Sequence, residues 1–249
     1  MNVVAMKVVE RPSPNFNERL GRADADILIM HYTGMRSCEE AVARLTSAET
    51  KVSSHYTIDE DGTIYAHVPE HLRAWHAGVS SWRGASDINS RSIGIEIVNP
   101  GHEFGYRAFP DAQIDAVVRL SKAIVARHPI PARNVIGHSD IAPGRKTDPG
   151  ELFPWKRLAD AGLGLWVEAK SGKNLPLARG MTGDRVAELQ SAFARFGYGV
   201  DANGSFDEWT ETVVGAFQRH FRPANFDGIA DAQTQAQLRA LNEMLDPIA

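Results

Sequence analysis

ADILIMHYT, residues 25–33, and SIGIEIVN, residues 92–99, decide the fold. Both are short apolar runs rich in β-branched residues, the pattern of strands buried on both faces. Between them, SSHYTIDEDGTIYAHVP (53–69) reads as two strands around a tight turn, because Asp61-Gly62 is a strong hairpin signal. Helical patterns separate these strands. SCEEAVARLTS (37–47) is one. DAQIDAVVRLSKAIVARH (111–128) is another, with Ile114, Val117, Val118, Ile124 and Val125 at helical spacing and Pro110 ahead of its start. Strands mixed with helices in this order predict an α/β (α+β) domain, a mixed central β-sheet flanked by helices.

The pattern changes past a polar stretch containing Gly, Asn and Pro, which reads as a linker over 169–180. DRVAELQSAFARFGY (184–198), DEWTETVVGAFQRHF (207–221) and DAQTQAQLRALNEML (231–245) are amphipathic helices, and no strand signal follows the linker. The expected organisation is a domain over 1–168, the linker, and a three-helix domain over 181–249.

Composition narrows the chemistry. The 249 residues are 43% hydrophobic and 23% charged, ordinary for a globular protein, with a formal net charge of −4. No Lys/Arg-rich block is present, which argues against nucleic acid as a partner. Cys38 is the single cysteine, so an internal disulfide and a cysteine-based zinc site are both excluded. A metal would have to be held by histidines and carboxylates. No segment approaches the ~20 apolar residues of a membrane span. The N-terminal apolar run breaks at Lys7 and meets Glu10 and Arg11, unlike a secretory signal. The expectation is a cytoplasmic protein, or a periplasmic one if a leader has been lost.

His31 ends the first apolar run, where sheet proteins project side chains into a crevice. In GHSDIAPGRKTDPG (137–150), His138 and Asp148 bracket a loop too rich in Gly and Pro to be helical. Two imidazoles and a carboxylate are the makeup of a catalytic zinc site with an open position. A lone histidine at a strand end is more often a hydrogen-bonded core residue. Glu96 interrupts an apolar strand, where a carboxylate is costly unless paired or used. It is either a structural salt-bridge or hydrogen-bond partner, or a general base that takes a proton from water. Lys146, two residues before Asp148, could stabilise an oxyanion if a metal is present. Among the other histidines, His55 is the best decoy ligand. The Gly/Ser-rich stretch AWHAGVSSWRGASDINSRSIGIEIVNPG (74–101) carries Trp75, His76, Trp82, Arg83 and Asn89. These suit a sugar–peptide ligand, with aromatic stacking and polar contacts to carboxylates and amides, while each tryptophan serves equally well as a hydrophobic cap over the sheet.

HYTG, VSSHYTIDEDGTIY, AWHAGVSSWRG, SIGIEIVNPG and GHSDIAPGRKTDPGELFPW together resemble the zinc-dependent N-acetylmuramoyl-L-alanine amidases of type 2, relatives of the peptidoglycan recognition proteins and the phage T7 lysozyme amidase. The resemblance runs in order across about residues 20–166. Beyond the linker, RGMTGDRVAELQSAFARFGY, GSFDEWTETVVGAFQRHF and DGIADAQTQAQL resemble a three-helix peptidoglycan-binding module, a pairing typical of the AmiD-like branch. The resemblance implies one Zn2+ held by His31, His138 and Asp148, with Glu96 as general base and Lys146 assisting the oxyanion. It implies hydrolysis of the amide between N-acetylmuramic acid and L-alanine in muropeptides or murein. In this family the final zinc ligand is in some members a cysteine, and non-catalytic relatives lose ligands; this chain keeps all three. The rival expectation is a peptidoglycan-binding or sensing protein with weak or no catalysis.

Overall fold

The computed structural model describes residues 6–21 and 24–245. The reading of the N-terminus as lacking a secretory signal rests partly on residues 1–5, outside the described set. In chain order the elements are β1 (Val8–Glu10), β2 (Phe16–Glu18), β3 (Ile27–Tyr32), α1 (Cys38–Thr46), β4 (Tyr56–Ile58), β5 (Ile64–Ala66), β6 (Leu72–Ala74), β7 (Ser92–Ile97), α2 (Gly101–Phe104), α3 (Asp111–Arg127), β8 (Val135–Gly137), α4 (His138–Ile141), α5 (Trp155–Asp160), α6 (Asp184–Phe196), α7 (Glu208–Phe221) and α8 (Ala232–Glu243).

Contacts divide the chain into two compact units. The first comprises the chain up to Gly78 together with Asp87–His138 and Asp148–Gly164. Its main sheet has the order β1-β5-β4-β7-β3-β8. The β4–β5 hairpin is antiparallel, and the other neighbouring pairs are parallel, so the sheet is mixed as expected. β7 and β3 lie in its interior. Ile27–Met30 and Ile93, Ile95 and Ile97 have no solvent exposure, which explains why both runs are apolar without alternation. α3 buries Ile114, Val117, Leu120 and Ile124. It is stitched to the sheet by Gln113, whose Nε2 donates to the carbonyls of Ile58 and Val98 at 3.1 and 2.9 Å. β2 and β6 form a separate antiparallel pair.

The second unit contains the chain from Leu165 onward, and also Val79–Ser86 and Ser139–Thr147. These two segments fall inside the region expected as a single domain over 1–168. They pack with the helices because Trp82, with no solvent exposure, finds its neighbours there: Phe196 and Tyr198, at ring-centroid distances of 6.0 and 5.2 Å. Gly197 makes room for that indole, since a Cβ there would lie 2.7 Å from the ring.

α6, α7 and α8 match the expected helices. Their core is Val186, Leu189, Phe193, Phe196, Val213, Val214, Phe217, Phe221, Leu238 and Leu241. A local device recurs in their connections. Asp207 caps α7 by accepting from Thr210 N, and Asp231 caps α8 by accepting from Thr234 N. Ahead of each cap a buried glutamine of the previous helix pins the loop. Gln190 Nε2 donates to Ser205 O and Oε1 accepts from Gly204 N. Gln218 Nε2 donates to Ile229 O and Oε1 accepts from Gly228 N. Between the helices the described residues form isolated bridges, Leu177 with Ala230 and Thr182 with Ser205, and no strand.

Candidate active site

β3 and β7 are paired so that His31 stands opposite Glu96, and β4 places Thr57 opposite Glu96 on its other side. Cross-strand partners point to the same face, so His31 and Glu96 share one face of the sheet. On β8 the last paired residue, Gly137, stands opposite Met30, and His138 follows it directly. The imidazoles of His31 and His138 are 4.5 Å apart, edge to face.

Three donor atoms converge here. His31 Nδ1 lies 3.0 Å from His138 Nδ1 and 3.0 Å from Asp148 Oδ2, and His138 Nδ1 lies 3.1 Å from that oxygen. All three residues are buried. Their protons are assigned by what each ring meets on its other side. His138 Nε2 is 3.0 Å from the carbonyl of Ala77, which can only accept, so that nitrogen carries the proton. His31 Nε2 is 3.0 Å from His76 Nδ1. The other nitrogen of His76 is 3.2 Å from Ser92 Oγ, and that hydroxyl spends its proton on the Ile88 carbonyl at 2.7 Å. Ser92 therefore accepts from His76 Nε2–H, which leaves His76 Nδ1 to accept from His31 Nε2–H.

Both Nδ1 atoms thus turn lone pairs toward each other and toward a carboxylate. A positive charge has to lie among three such atoms, either a proton or a metal cation. Burial pushes the Asp148 carboxyl upward, but positive charge at the His138 and His31 nitrogens against it outweighs this and holds it far below the usual carboxylate range. Burial, followed by the neighbouring His31, His55, His138 and Arg19, lowers His76 well below the ordinary histidine range, consistent with a neutral relay ring. Among the described residues, His31, His138 and Asp148 are the one group of side chains that could hold a metal ion.

Several residues of the 74–101 stretch do other work than the ligand contacts expected of them. Trp82 is wholly buried in the second unit and offers no face to a ligand. Asn89 is buried, with its Oδ1 accepting from the backbone N–H groups of His76 and Ala77 at 3.0 and 2.8 Å, so it holds the turn that carries His76. His76 orients His31. Room for its ring comes from Gly94, where a Cβ would lie 2.5 Å from His76 Nδ1. Trp75 is half-buried and donates from Nε1 to Asn17 Oδ1 at 2.8 Å. Arg83 is exposed, and its backbone N–H donates to Gly197 O at 2.8 Å. His55 is no ligand: it has no exposure, accepts from Gly94 N at Nδ1 and faces the Leu72 carbonyl at Nε2. Lys146 is half-buried in the second unit.

The relay from His31 through His76 to Ser92 was hidden in the sequence. A polar residue spaced by 45 positions from the histidine it serves leaves no periodic signal. The one hint was Gly94, a glycine inside an otherwise apolar strand, which marks a close approach.

Comparison with known proteins agrees with this arrangement. Residues 21–151 match the N-acetylmuramoyl-L-alanine amidase family, and residues 182–238 match a peptidoglycan binding domain. N-acetylmuramoyl-L-alanine amidase AmiD of Escherichia coli K12 is 41% identical over 230 residues, 87% of this chain and 82% of that protein. 1,6-Anhydro-N-acetylmuramyl-L-alanine amidase AmpD of Citrobacter freundii is 44% identical over 111 residues, 45% of this chain and 57% of that protein. Among solved structures, E. coli AmiD in complex with anhydro-N-acetylmuramic acid-L-Ala-D-γ-Glu-L-Lys superposes with a TM-score of 0.77 at 37% identity, covering 92% of this chain and 98% of that one. AmpDh3 of Pseudomonas aeruginosa in complex with an anhydromuramic pentapeptide gives 0.75 at 33% identity, covering 94% and 96%. The sheet places His31 and Glu96 on one face, with His138 just past β8 and Asp148 in the loop beyond, and the match over residues 21–151 together with the 41% identity across 87% of the chain shows that the chain is a member of the N-acetylmuramoyl-L-alanine amidase family.

Proposed function

We propose that this protein is a zinc hydrolase that cleaves the amide between N-acetylmuramic acid, including its 1,6-anhydro form, and the L-alanine of the stem peptide. The observation that carries this reading is the convergence of three buried donor atoms whose protons are assigned elsewhere. Ligands bound to a tetrahedral zinc at about 2.0–2.2 Å stand about 3.3 Å from one another. The 3.0–3.1 Å separations of His31 Nδ1, His138 Nδ1 and Asp148 Oδ2 fit that geometry closely. Two imidazoles and a carboxylate also favour zinc over magnesium or calcium, which prefer oxygen donors.

When bound, zinc supplies Lewis acidity, polarising the amide carbonyl and making a water acidic near neutral pH. The residues of the chain supply the rest. Glu96 accepts the proton of the attacking water at its carboxylate and returns it to the L-alanine nitrogen as the C–N bond breaks. Its place opposite His31 supports that role. Lys146 offsets negative charge on the carbonyl oxygen. His76 and the Ala77 carbonyl keep both imidazoles in the tautomer that presents Nδ1. The peptidoglycan-binding match of the C-terminal helices supports attachment to murein or its fragments. The anhydromuramyl ligands of the related structures make soluble anhydro-muropeptides the substrate to try first.

Mass spectrometry of products tests the proposal, with a soluble anhydro-muropeptide and with intact sacculi, each with and without chelator. Chelator-sensitive release of a stem peptide with a free L-alanine amino terminus is expected. Cleavage within the stem, or activity indifferent to chelator, would overturn it.

A further inference from the structure

Asp140 stands two residues after His138, and the whole residue is 1% exposed. Polar oxygens withdrawn from water in this way are costly unless close hydrogen-bond donors meet them. The helical segments provide them. The Tyr198 hydroxyl donates to Oδ1 at 2.6 Å and His220 Nδ1 donates to Oδ2 at 2.7 Å. These are short, charge-assisted bonds. Both donors are themselves buried and held from behind. Tyr198 lies edge-on to Trp82 and Phe193, and the His220 ring stacks on Phe221 at 3.9 Å. Burial and the Asp140 charge push the Tyr198 phenol well above its ordinary value, so it stays a proton donor.

The rest of the segment is tied down in the same unit. Ile141 O accepts from Ser81 N at 2.8 Å, and the Arg145 guanidinium donates twice to Val79 O at 3.1 and 2.7 Å. Ser139–Thr147, the piece of chain joining His138 to Asp148, is therefore packed as part of the second unit, while the residues at its two ends pack in the first. Neither Tyr198 nor His220 has a part in the hydrolysis proposed above.

We propose that Tyr198 and His220 are positioning residues for the metal centre: by holding Asp140 they fix the Ser139–Thr147 segment and, through it, the chain positions of His138 and Asp148. This rests on the reading of His31, His138 and Asp148 as the metal ligands.

The test uses the full-length protein. Zinc affinity is measured by chelator competition, the ligand field by the visible spectrum of the cobalt-substituted form, and folding by circular dichroism. His220→Leu removes one donor, Tyr198→Phe removes a single oxygen, and His220→Asn keeps an N–H near the Nδ1 position. Leu241→Ala, in the core of the same helices, serves as the control for general destabilisation. His220→Leu and Tyr198→Phe are expected to weaken zinc binding about tenfold or more and to alter the cobalt spectrum. His220→Asn should restore most of both, and Leu241→Ala should lower the melting temperature while leaving both unchanged. Folded His220→Leu and Tyr198→Phe with wild-type affinity and spectrum would overturn the proposal, as would an equal loss in Leu241→Ala. If His220→Leu does not fold, Tyr198→Phe decides. Failure of the wild-type protein to bind zinc would instead overturn the ligand assignment itself.

Discussion

Replacing Gly94 by alanine should damage the metal centre without adding any polar group to it. The new Cβ would lie 2.5 Å from His76 Nδ1 and 2.7 Å from two ring carbons. An ordinary contact of 3.4 Å requires the ring to withdraw by about 0.9 Å. It cannot do so freely, because Nε2 is bonded to Ser92 Oγ and the His55 ring stands at 5.6 Å. A withdrawal of that size stretches the 3.0 Å bond from His31 beyond hydrogen-bond range. Overpacking of this kind costs about 1–3 kcal/mol of stability. Loss of the partner that orients a metal-binding histidine typically costs about 10–100-fold in affinity or activity. Zinc affinity by chelator competition and kcat/KM on an anhydro-muropeptide would both be read. His76→Ala should cost a similar amount, and Gly94→Ala added to it should cost little more, since the clash is gone. A Gly94→Ala protein with wild-type zinc affinity and turnover would refute the relay. Additive losses in the double variant would show that the alanine acts through the strand instead.

Three further outcomes are expected. Glu96→Gln should lower kcat by about 10²–10⁴-fold with zinc affinity nearly unchanged, and a parallel loss of zinc would make Glu96 a structural partner. Burial, with the Arg19 charge beside it, lowers His55 to about 3, whereas an unfolded histidine protonates near 6.5. The unfolded chain therefore binds the extra proton between those values, so stability falls as pH drops through that window, by about 2 kcal/mol at pH 5. Urea melts of the wild type and His55→Gln at pH 7.5 and pH 5 would measure this, the variant showing a smaller drop. Trp82→Ala should cost about 3–5 kcal/mol of stability, read by denaturant melts of metal-free protein; a raised KM with unchanged stability would return Trp82 to ligand binding.

The elements that position the site were legible wherever burial imposes a pattern. β3 and β7 could be read because strands covered on both faces must be apolar throughout. α3, α6, α7 and α8 could be read because a half-covered helix must repeat its apolar residues. Glu96 stood out as an exception to such a pattern and His31 as the end of one, and the two stand opposite each other across β3 and β7. What could not be read depends on contacts between distant positions. Trp82 has the same surroundings in sequence whether it stacks on a sugar or fills a core, and only the approach of Phe196 and Tyr198 decides. His76 and Asn89 looked like ligand-binding groups for the same reason, since a polar residue in a Gly/Ser-rich loop carries no mark of what it faces. The short strands β1, β2 and β6, three residues each, are too brief to show any period.

Because the second unit is assembled from three separate pieces of chain, it does not transplant as the run matched by the peptidoglycan binding domain, residues 182–238. Such a graft would leave behind Trp82 and Asp140. Phe196 and Tyr198 would then meet water where an indole had covered them, an aromatic side chain burying about 150–250 Å². Tyr198 and His220 would lose the carboxylate they share. A chimaeric wall hydrolase built from these helices needs a recipient that already offers a tryptophan loop and a buried aspartate. Failing that, the exposed positions have to be redesigned for solvent.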